Sequence, residues 1–242
     1  MIPLPKPTFT PFPIPWEEAE GSYRRRLPHL RVPGATYFVT FRQADSLPNK
    51  IIFDWLAEHH AWLRAHDIDP EWDKQRTTRF WIKWRAIPAE ERETHERART
   101  KVFLTELDRC HGSCVMRDQA CRRIVADALH FFDADRVWLG DFVVMPNHVH
   151  VIVKMIGHVE LEDWVGSVKR HAAREIGKLV GTTPQRIGHF WMKESFDRVI
   201  RDREELRRTR EYIRKNPAAA KLREQETTWS PAAWLDEFAT LA

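Results

Sequence analysis

Cysteine is scarce in this chain of 242 residues, which contains only Cys110, Cys114 and Cys121. Such a small, odd number excludes a disulfide framework as the main source of stability. It fits a protein of the reducing cytoplasm. The spacing, with one close pair, also departs from the paired C-x₂-C clusters of structural zinc sites. We therefore expect buried thiols that have no special function.

Long apolar runs are also missing, and no stretch is apolar over the length that a membrane-spanning helix needs. Residues 1–22 contain six prolines and lack the apolar core of a signal peptide. We expect them to form an extended, proline-rich arm. The hydrophobic content of 43% is ample for one sizeable core.

The net charge of +4 is small for the whole chain, but its distribution is uneven. Residues 165–223 contain 16 Lys and Arg against 7 Asp and Glu, a balance of +9. A concentrated basic region is the expected footprint of a protein that binds a polyanion such as nucleic acid. A solvated helical surface would give the same pattern, so charge alone leaves both interpretations open.

Hydrophobic periodicity gives the expected order of elements. Strands are predicted at 35–42, 136–145, 148–155 and 195–200. Helices are predicted at 50–66, 117–132, 161–179 and 202–215. The order β-α-β-β-α-β indicates a ferredoxin-like α+β sandwich with an antiparallel sheet. The last helix is additional, and it could cover the exposed face of the sheet.

The domain organisation follows from these elements. We expect one catalytic domain over 23–223, with a helical insertion at about 67–100 that is followed by a short helix at 101–108. Pro217 is expected either to move Asn216 out of regular helix or to mark the helix end, because the residue before a proline is disfavoured in helical conformation; residues 218–223 could add one more turn. A tail over 224–242 should be loosely held unless its aromatic residues dock.

Two histidines lie two positions apart in the strand that begins at His148. Side chains alternate between the faces of a strand, so His148, His150 and Ile152 share one face. The intervening valines face the other way and look like core. Two imidazoles side by side are enough to begin a metal site. The same pattern also occurs in metal-dependent hydrolases and in purely structural settings.

Tyrosine is the second scarce residue, with only Tyr23, Tyr37 and Tyr212 present. Tyr212 lies in the basic last helix, and Asn216 follows it four residues later. Positions i and i+4 share a helix face. If that helix lies over the sheet, the phenol and the carboxamide would meet His148 and His150.

Such a group of side chains suits phosphoryl transfer. Two imidazoles and an amide oxygen can hold a divalent ion that polarises a scissile phosphate. A tyrosine hydroxyl, with an ordinary pKa of about 10, then acts as an activated nucleophile. Mixed nitrogen and oxygen ligands suit Mg²⁺ or Mn²⁺, whereas imidazole alone favours zinc or nickel.

The motifs also resemble those of a known family. MPNHVHVIV resembles the HUH motif of single-tyrosine transposases. PGATYFVTFR, HGSCVMRD, FWMKESFDRVIRD and YIRKNPAAAKL follow the order seen in the REP-associated tyrosine transposases, a branch of the IS200-like family. The resemblance runs from about 25 to 222. Residues 67–100 look longer than the usual connection.

The resemblance implies that His148 and His150 are metal ligands, that Tyr212 is the nucleophile and that Asn216 completes the metal shell. It also implies the ferredoxin-like fold and a divalent metal, Mg²⁺ or Mn²⁺. The expected substrates are single-stranded DNA hairpins of the REP type, which are cut and rejoined through a 5′-phosphotyrosine. Members of this branch are expected to act as monomers, whereas other IS200-like proteins form homodimers.

The basic residues near these motifs are candidates for contacts with DNA phosphates, which set affinity without reading sequence. They are Arg24, Arg25, Arg26, Lys169, Arg170, Arg174, Arg207, Arg208, Arg210, Arg214 and Lys215. Two other functions remain open from the sequence. One is a catalytically silent protein of the same fold that binds hairpins, and the other is a metal-dependent hydrolase that uses water.

Overall fold

The computed structural model describes residues 7–9, 22–23, 29–30, 34–75, 77–181 and 189–239. Most of the predicted proline-rich arm, together with Arg24, Arg25 and Arg26, lies outside these residues. The chain divides into two compact units. The larger unit combines 1–44 with 113–242, and the smaller unit comprises 45–112.

A five-stranded antiparallel sheet forms the centre of the larger unit. Its strands are β1 (Thr36–Arg42), β2 (Val137–Val144), β3 (His148–Met155), β4 (Phe196–Val199) and β5 (Thr228–Ser230). Their order across the sheet is β4-β1-β3-β2-β5. The first four strands have the arrangement expected of a ferredoxin-like sandwich, which confirms the predicted fold class. The fifth strand was not predicted.

Eight α-helices are described, four in each unit. The smaller unit contains α1 (Asn49–Ala65), α2 (Pro70–Gln75), α3 (Thr78–Ala86) and α4 (Ala89–Asp108). The larger unit contains α5 (Gln119–His130), α6 (Leu161–Leu179), α7 (Arg203–Ala219) and α8 (Asp236–Ala239). Within the described ranges, none of these helices combines the length and the apolar character required to cross a membrane.

The two faces of the sheet bury different cores. On one face, Val149, Val151 and Val153 pack with the apolar sides of α5 and α6. On the other face, Ile152 and Phe38 pack with residues of α7. Because side chains alternate along β3, the histidines point towards α7 rather than towards α5 and α6.

Helix α7 begins where its N-cap predicts and ends later than expected. The Asp202 carboxylate accepts the Glu205 amide at 2.7 Å, which satisfies one of the open donors of the first turn. Ending the helix at Pro217 was wrong, since α7 continues to Ala219. A proline removes the hydrogen bond of its own nitrogen and crowds the carbonyl four residues earlier, and α7 ends two residues after it.

The C-terminal tail is docked over the residues that the structure describes. Strand β5 pairs with the outer edge of β2, with Val144 opposite Thr228. The Trp234 indole donates to the Leu139 carbonyl at 2.7 Å, and Leu235 is buried. Of the two outcomes that the sequence left open for the tail, the structure shows docking, because the free edge of β2 supplies backbone partners for it.

The smaller unit is helical, as predicted for its central part, but its extent differs from the expected insertion. It spans 45–112 rather than 67–100, because α1 belongs to it. The separate helix predicted at 101–108 is wrong. A single helix, α4, runs from Ala89 to Asp108, and no glycine or proline interrupts that stretch of sequence.

Gly140 lies at a register shift in the pairing of β2 with β3, close to Ile152. A Cβ at this position would lie 2.8 Å from both the Cβ and the carbonyl oxygen of Ile152. We predict that Gly140→Ala lowers the free energy of unfolding by about 1–3 kcal/mol through overpacking. Chemical denaturation would measure the change.

Gly166 of α6 is the matched control for this substitution. A Cβ there would meet only the flexible end of Arg170 at 3.1 Å, and alanine is favoured over glycine inside a helix. Gly166→Ala should be neutral or stabilising. Equal destabilisation of the two variants would show that the close contact with Ile152 is not the reason that position 140 requires glycine.

Candidate active site

The two histidines of the motif lie together at the start of β3. His148 is opposite Arg42 and His150 is opposite Thr40 in the pairing with β1. Both histidine side chains are fully buried. The close pairing of the central strands thus fixes the backbone that carries both imidazoles.

Neighbouring side chains orient the two rings. The Asn147 carboxamide oxygen lies 2.7 Å from Nδ1 of His148. An amide oxygen only accepts hydrogen bonds, so this contact puts the proton on Nδ1 and leaves Nε2 of His148 as a lone-pair donor. The Thr40 hydroxyl lies 2.7 Å from Nδ1 of His150. Phe38 stacks on the His150 ring, with centroids 5.5 Å apart.

The Nε2 atoms of the two histidines lie 3.0 Å apart. Zinc-type cations bind imidazole nitrogen at about 2.0–2.1 Å, so two such ligands separated by about 90–110° lie roughly 2.9–3.4 Å apart. The second nitrogen of each ring is held by a polar group, as is usual for metal-bound histidines. The residues present therefore fit a divalent cation.

Burial also keeps these imidazoles neutral. Desolvation lowers the pKa of His148 to about 3. Desolvation, with a smaller contribution from neighbouring His148, lowers the pKa of His150 well below 6.5. An imidazole must be neutral to bind a metal. Both rings are thus in the ligating form at neutral pH.

Helix α7 brings Tyr212 to the same place. The Tyr212 hydroxyl lies 3.2 Å from Nε2 of His150, and the two rings are 5.1 Å apart with their planes inclined by 67°. Phe38 meets the Tyr212 ring edge-on at 6.0 Å. Tyr212 is only half-buried, so a substrate can approach it from solvent. Asn216 is buried one turn further along the same helix.

Two ionic contacts hold α7 across the sheet. The Arg210 guanidinium donates to the Asp141 carboxylate on β2 at 2.8 Å. On the other side, Arg198 of β4 donates to the Glu205 carboxylate at 2.8 Å and to the Thr209 hydroxyl at 3.1 Å. These contacts position the helix on both sides of the tyrosine.

The candidate DNA-contacting residues lie on opposite faces of the larger unit. Arg208, Arg214 and Lys215 are exposed on α7, the helix of Tyr212. Arg170 and Arg174 are exposed on α6, which covers the other face of the sheet. The sequence placed these two groups in one basic region, but the structure separates them.

Other candidates make contacts within the protein. Lys169 is buried, and its ammonium donates to the Met192 carbonyl at 3.0 Å. Arg210 bridges Asp141 and Asp236. Arg207 pairs with Glu204 of its own helix at 2.9 Å. Their contacts with DNA stay predictions.

Sequence reasoning missed the residues that support the site, including Phe38, Thr40 and Asn147. The alternation of β1 was visible in the sequence, and it puts Phe38 and Thr40 on one face. The pairing of Thr40 with His150 depends on strand register, which the sequence did not supply. Asn147 was assigned only to the turn, although it directly precedes the first histidine.

Comparison with protein families agrees with the motifs. Residues 116–216 match the model of a family described as "Transposase IS200 like". The fold is also similar to the solved "Structure of the REP associates tyrosine transposase bound to a REP hairpin", with a TM-score of 0.40 and 13% sequence identity. That alignment covers 82% of this chain and 73% of the other. No curated protein sequence matches this chain.

The Thr40 hydroxyl tests how the His150 ring is oriented. Thr40→Val keeps the shape of the side chain and removes its contact with Nδ1. We predict that affinity for Mn²⁺ or Co²⁺ falls by about 10- to 100-fold, the usual effect of removing a group that orients a ligand. Calorimetric titration would measure it.

Thr36→Val is the control for this variant. Thr36 is equally buried on the same face of β1, at the far end of the strand from the histidines. Its substitution should leave metal affinity unchanged. Equal affinities for the Thr40→Val protein and the wild type would exclude an orienting role for the hydroxyl.

Proposed function

We propose that this chain, whose residues 116–216 match the model of the IS200-like transposases, is a metal-dependent, single-tyrosine endonuclease and strand transferase acting on single-stranded DNA. One observation carries the proposal. The Tyr212 hydroxyl lies 3.2 Å from Nε2 of His150, which lies 3.0 Å from Nε2 of His148. A candidate nucleophile and two candidate ligands therefore converge on one point.

In the proposed reaction, the Tyr212 oxygen attacks the scissile phosphorus and loses its proton. The bond between phosphorus and the 3′-oxygen breaks, and that oxygen leaves as a 3′-hydroxyl after gaining a proton. The 5′ end stays attached to Tyr212 as a phosphodiester. A 3′-hydroxyl can then reverse the step on the same or another strand. The phosphodiester bond is conserved, so rejoining needs no nucleotide cofactor.

We propose that His148 and His150 hold Mg²⁺ or Mn²⁺ and that Asn216 is a further ligand. The ion would polarise the scissile phosphate and stabilise the charge that develops on it. The protein residues do the rest. Thr40 and Asn147 orient the imidazoles, and the buried packing of Phe38 excludes water from one side of the tyrosine ring.

The proposed substrates are hairpins of the REP type, because the motifs that resemble the REP-associated branch span most of the chain. His148, His150 and Tyr212 come from one chain, and His150 lies in direct contact with the other two. A monomer is therefore sufficient for the proposed chemistry. The exposed cations Arg214 and Lys215 flank the tyrosine and suit phosphates of a single strand.

Removing the Tyr212 hydroxyl tests the nucleophile. We predict that Tyr212→Phe abolishes the covalent adduct with a labelled single-stranded hairpin in Mn²⁺, with a decrease of at least about a thousandfold. Hairpin binding should persist, since the ring remains. A denaturing gel measures the adduct, and a mobility shift measures binding.

Tyr37→Phe is the matched control, because Tyr37 belongs to the core on the opposite face of the sheet. It should form the adduct as the wild type does. Cleavage by Tyr212→Phe that leaves a free 5′-phosphate would instead identify a hydrolase that uses water. Binding without any cleavage by the wild type, whatever the metal, would identify a silent hairpin-binding protein.

The separation of the basic groups gives a second test. If DNA lies on the face of Tyr212, Arg214→Ala with Lys215→Ala should weaken hairpin binding. The slope of log affinity against log salt should fall by about 0.7 for each phosphate that the protein no longer neutralises. Arg170→Ala with Arg174→Ala, on the other face, should change both quantities less. The reverse ranking would place the DNA on the face of α6.

A further inference from the structure

Arg198 is a cation near the candidate nucleophile, and the proposed reaction assigns it no contact with DNA. It lies on β4, directly opposite Phe38 of β1. Its guanidinium lies over the Phe38 ring, 5.4 Å from the centroid. Phe38 also stacks on His150 and meets the Tyr212 ring edge-on. The guanidinium and the tyrosine are therefore neighbours of the same aromatic ring.

We propose that Arg198 binds a DNA phosphate next to the scissile one, so that the single strand leaves the Tyr212 site on the side of β4. The inference rests on the proposed attack by Tyr212, which puts the scissile phosphate between the tyrosine hydroxyl and the two histidines. In the sheet, β1 lies between β4 and β3. The strand that carries Phe38 thus separates Arg198 from His150, and this separation suits a neighbouring phosphate rather than the scissile one.

The contacts of Arg198 leave part of its hydrogen-bonding capacity for a ligand. It donates to the Glu205 carboxylate at 2.8 Å and to the Thr209 hydroxyl at 3.1 Å. A guanidinium has five N–H donors in a planar fork, and these contacts use two of them. The side chain of Arg198 is 43% exposed, whereas that of Glu205 is 5% exposed. The carboxylate thus holds the guanidinium from the buried side, and the exposed side can meet a phosphate.

The local charge also favours an anion. Glu205 accepts hydrogen bonds from the guanidinium groups of both Arg198 and Arg201, so two cations share one carboxylate. Desolvation lowers the pKa of Arg198, and the charge of Glu205 opposes this effect. The nearby cations Arg201 and Arg208 lower the pKa further. A phosphate beside these guanidinium groups would offset their mutual repulsion.

The opposite side of the tyrosine is less favourable for a phosphate. Arg210 joins α7 to β2 there, and it is bound by the carboxylates of both Asp141 and Asp236. Its side chain is only 15% exposed. Two carboxylates around one guanidinium leave no excess of positive charge. The strand is therefore expected to follow the side of β4.

A purely structural ion pair is the competing interpretation. In that case Arg198 only holds Glu205 and Thr209, and with them α7, against β4. Loss of either charge of the pair would then weaken DNA binding in the same way, by displacing the helix that carries Tyr212. A phosphate contact predicts unequal effects, because only Arg198 meets the strand.

The test measures binding of a labelled oligothymidylate by fluorescence anisotropy, in metal-free buffer and at several salt concentrations. A strand of one base suits the question, since a phosphate contact does not read sequence. Arg198→Gln should weaken binding by about tenfold or more. The slope of log affinity against log salt should fall by about 0.7, the value for one phosphate of a single strand. Glu205→Gln should not lower the slope.

Arg198→Gln combined with Glu205→Gln separates a direct contact from an effect of net charge. The double variant keeps the net charge of the wild type and replaces the ion pair with two neutral amides. It therefore leaves no buried carboxylate without its partner, and it should fold even if Arg198→Gln alone does not. A direct contact predicts that its slope is also lower by about 0.7. A slope equal to that of the wild type would overturn the proposal.

Arg136→Gln is the matched control. Arg136 likewise lies over a phenylalanine ring, that of Phe132, at 4.7 Å from the centroid, and its side chain is 46% exposed. Phe132 belongs to the core on the opposite face of the sheet. This substitution should change neither the affinity nor the slope. Equal effects of Arg136→Gln and Arg198→Gln would overturn the proposal, because they would show a general loss of charge.

The outcome can be distinguished from that of the proposed chemistry, because binding is measured without metal or cleavage. If Arg198→Gln lowers the slope but the wild type forms no covalent adduct with a hairpin, the phosphate contact stands and the proposed nucleophile fails. If the adduct forms through Tyr212 and the slope is unchanged, the phosphate contact alone is overturned. A wild type that does not bind the strand would overturn it as well.

Discussion

The position of α7 across the sheet is the constraint on which the candidate active site depends. Its least exposed ionic contact joins Arg210 to Asp141, whose side chains are 15% and 3% exposed. Removing one partner of such a buried pair lowers the free energy of unfolding by about 3–5 kcal/mol, whereas replacing both partners with apolar residues can leave it unchanged. The pair therefore fixes a geometry more than it adds stability. With Arg198 and Glu205 on the other side, it leaves Tyr212 little freedom to move away from His150.

Much of the fold could be predicted because its signals are local. The strand at His148–Met155 and the helix at Leu161–Leu179 have the predicted limits, since alternation and helical spacing extend over their whole length. Strand β5 could not be predicted. It has three residues and no alternation of its own, and it exists because the edge of β2 offers backbone partners. A contact so distant in sequence leaves no periodic signal.

The same distinction applies to the candidate site. His148 and His150 lie two residues apart on one strand, so the alternation of side chains was sufficient to place them together. Tyr212 became a candidate through the scarcity of tyrosine and the basic helix around it. Thr40, by contrast, reaches His150 through the register of β1 against β3. Thr40 therefore orients His150 through tertiary pairing, whereas the candidate ligands themselves, and Asn147 beside the first of them, are neighbours in the sequence.

The two histidine pairs show how one nitrogen separation can arise from two different ring geometries. In both pairs the nearest ring nitrogens lie 3.0 Å apart. The ring centroids of His148 and His150 are 4.6 Å apart with their planes inclined by 72°, so the two rings approach at an angle and leave room for an ion beside both nitrogens. The centroids of His59 and His95 are 5.3 Å apart in nearly coplanar rings, so their nitrogens point directly at each other, as in a hydrogen bond. A pair on one strand can therefore face a nucleophile carried by another element, as His150 faces Tyr212, whereas the pair on α1 and α4 links two helices.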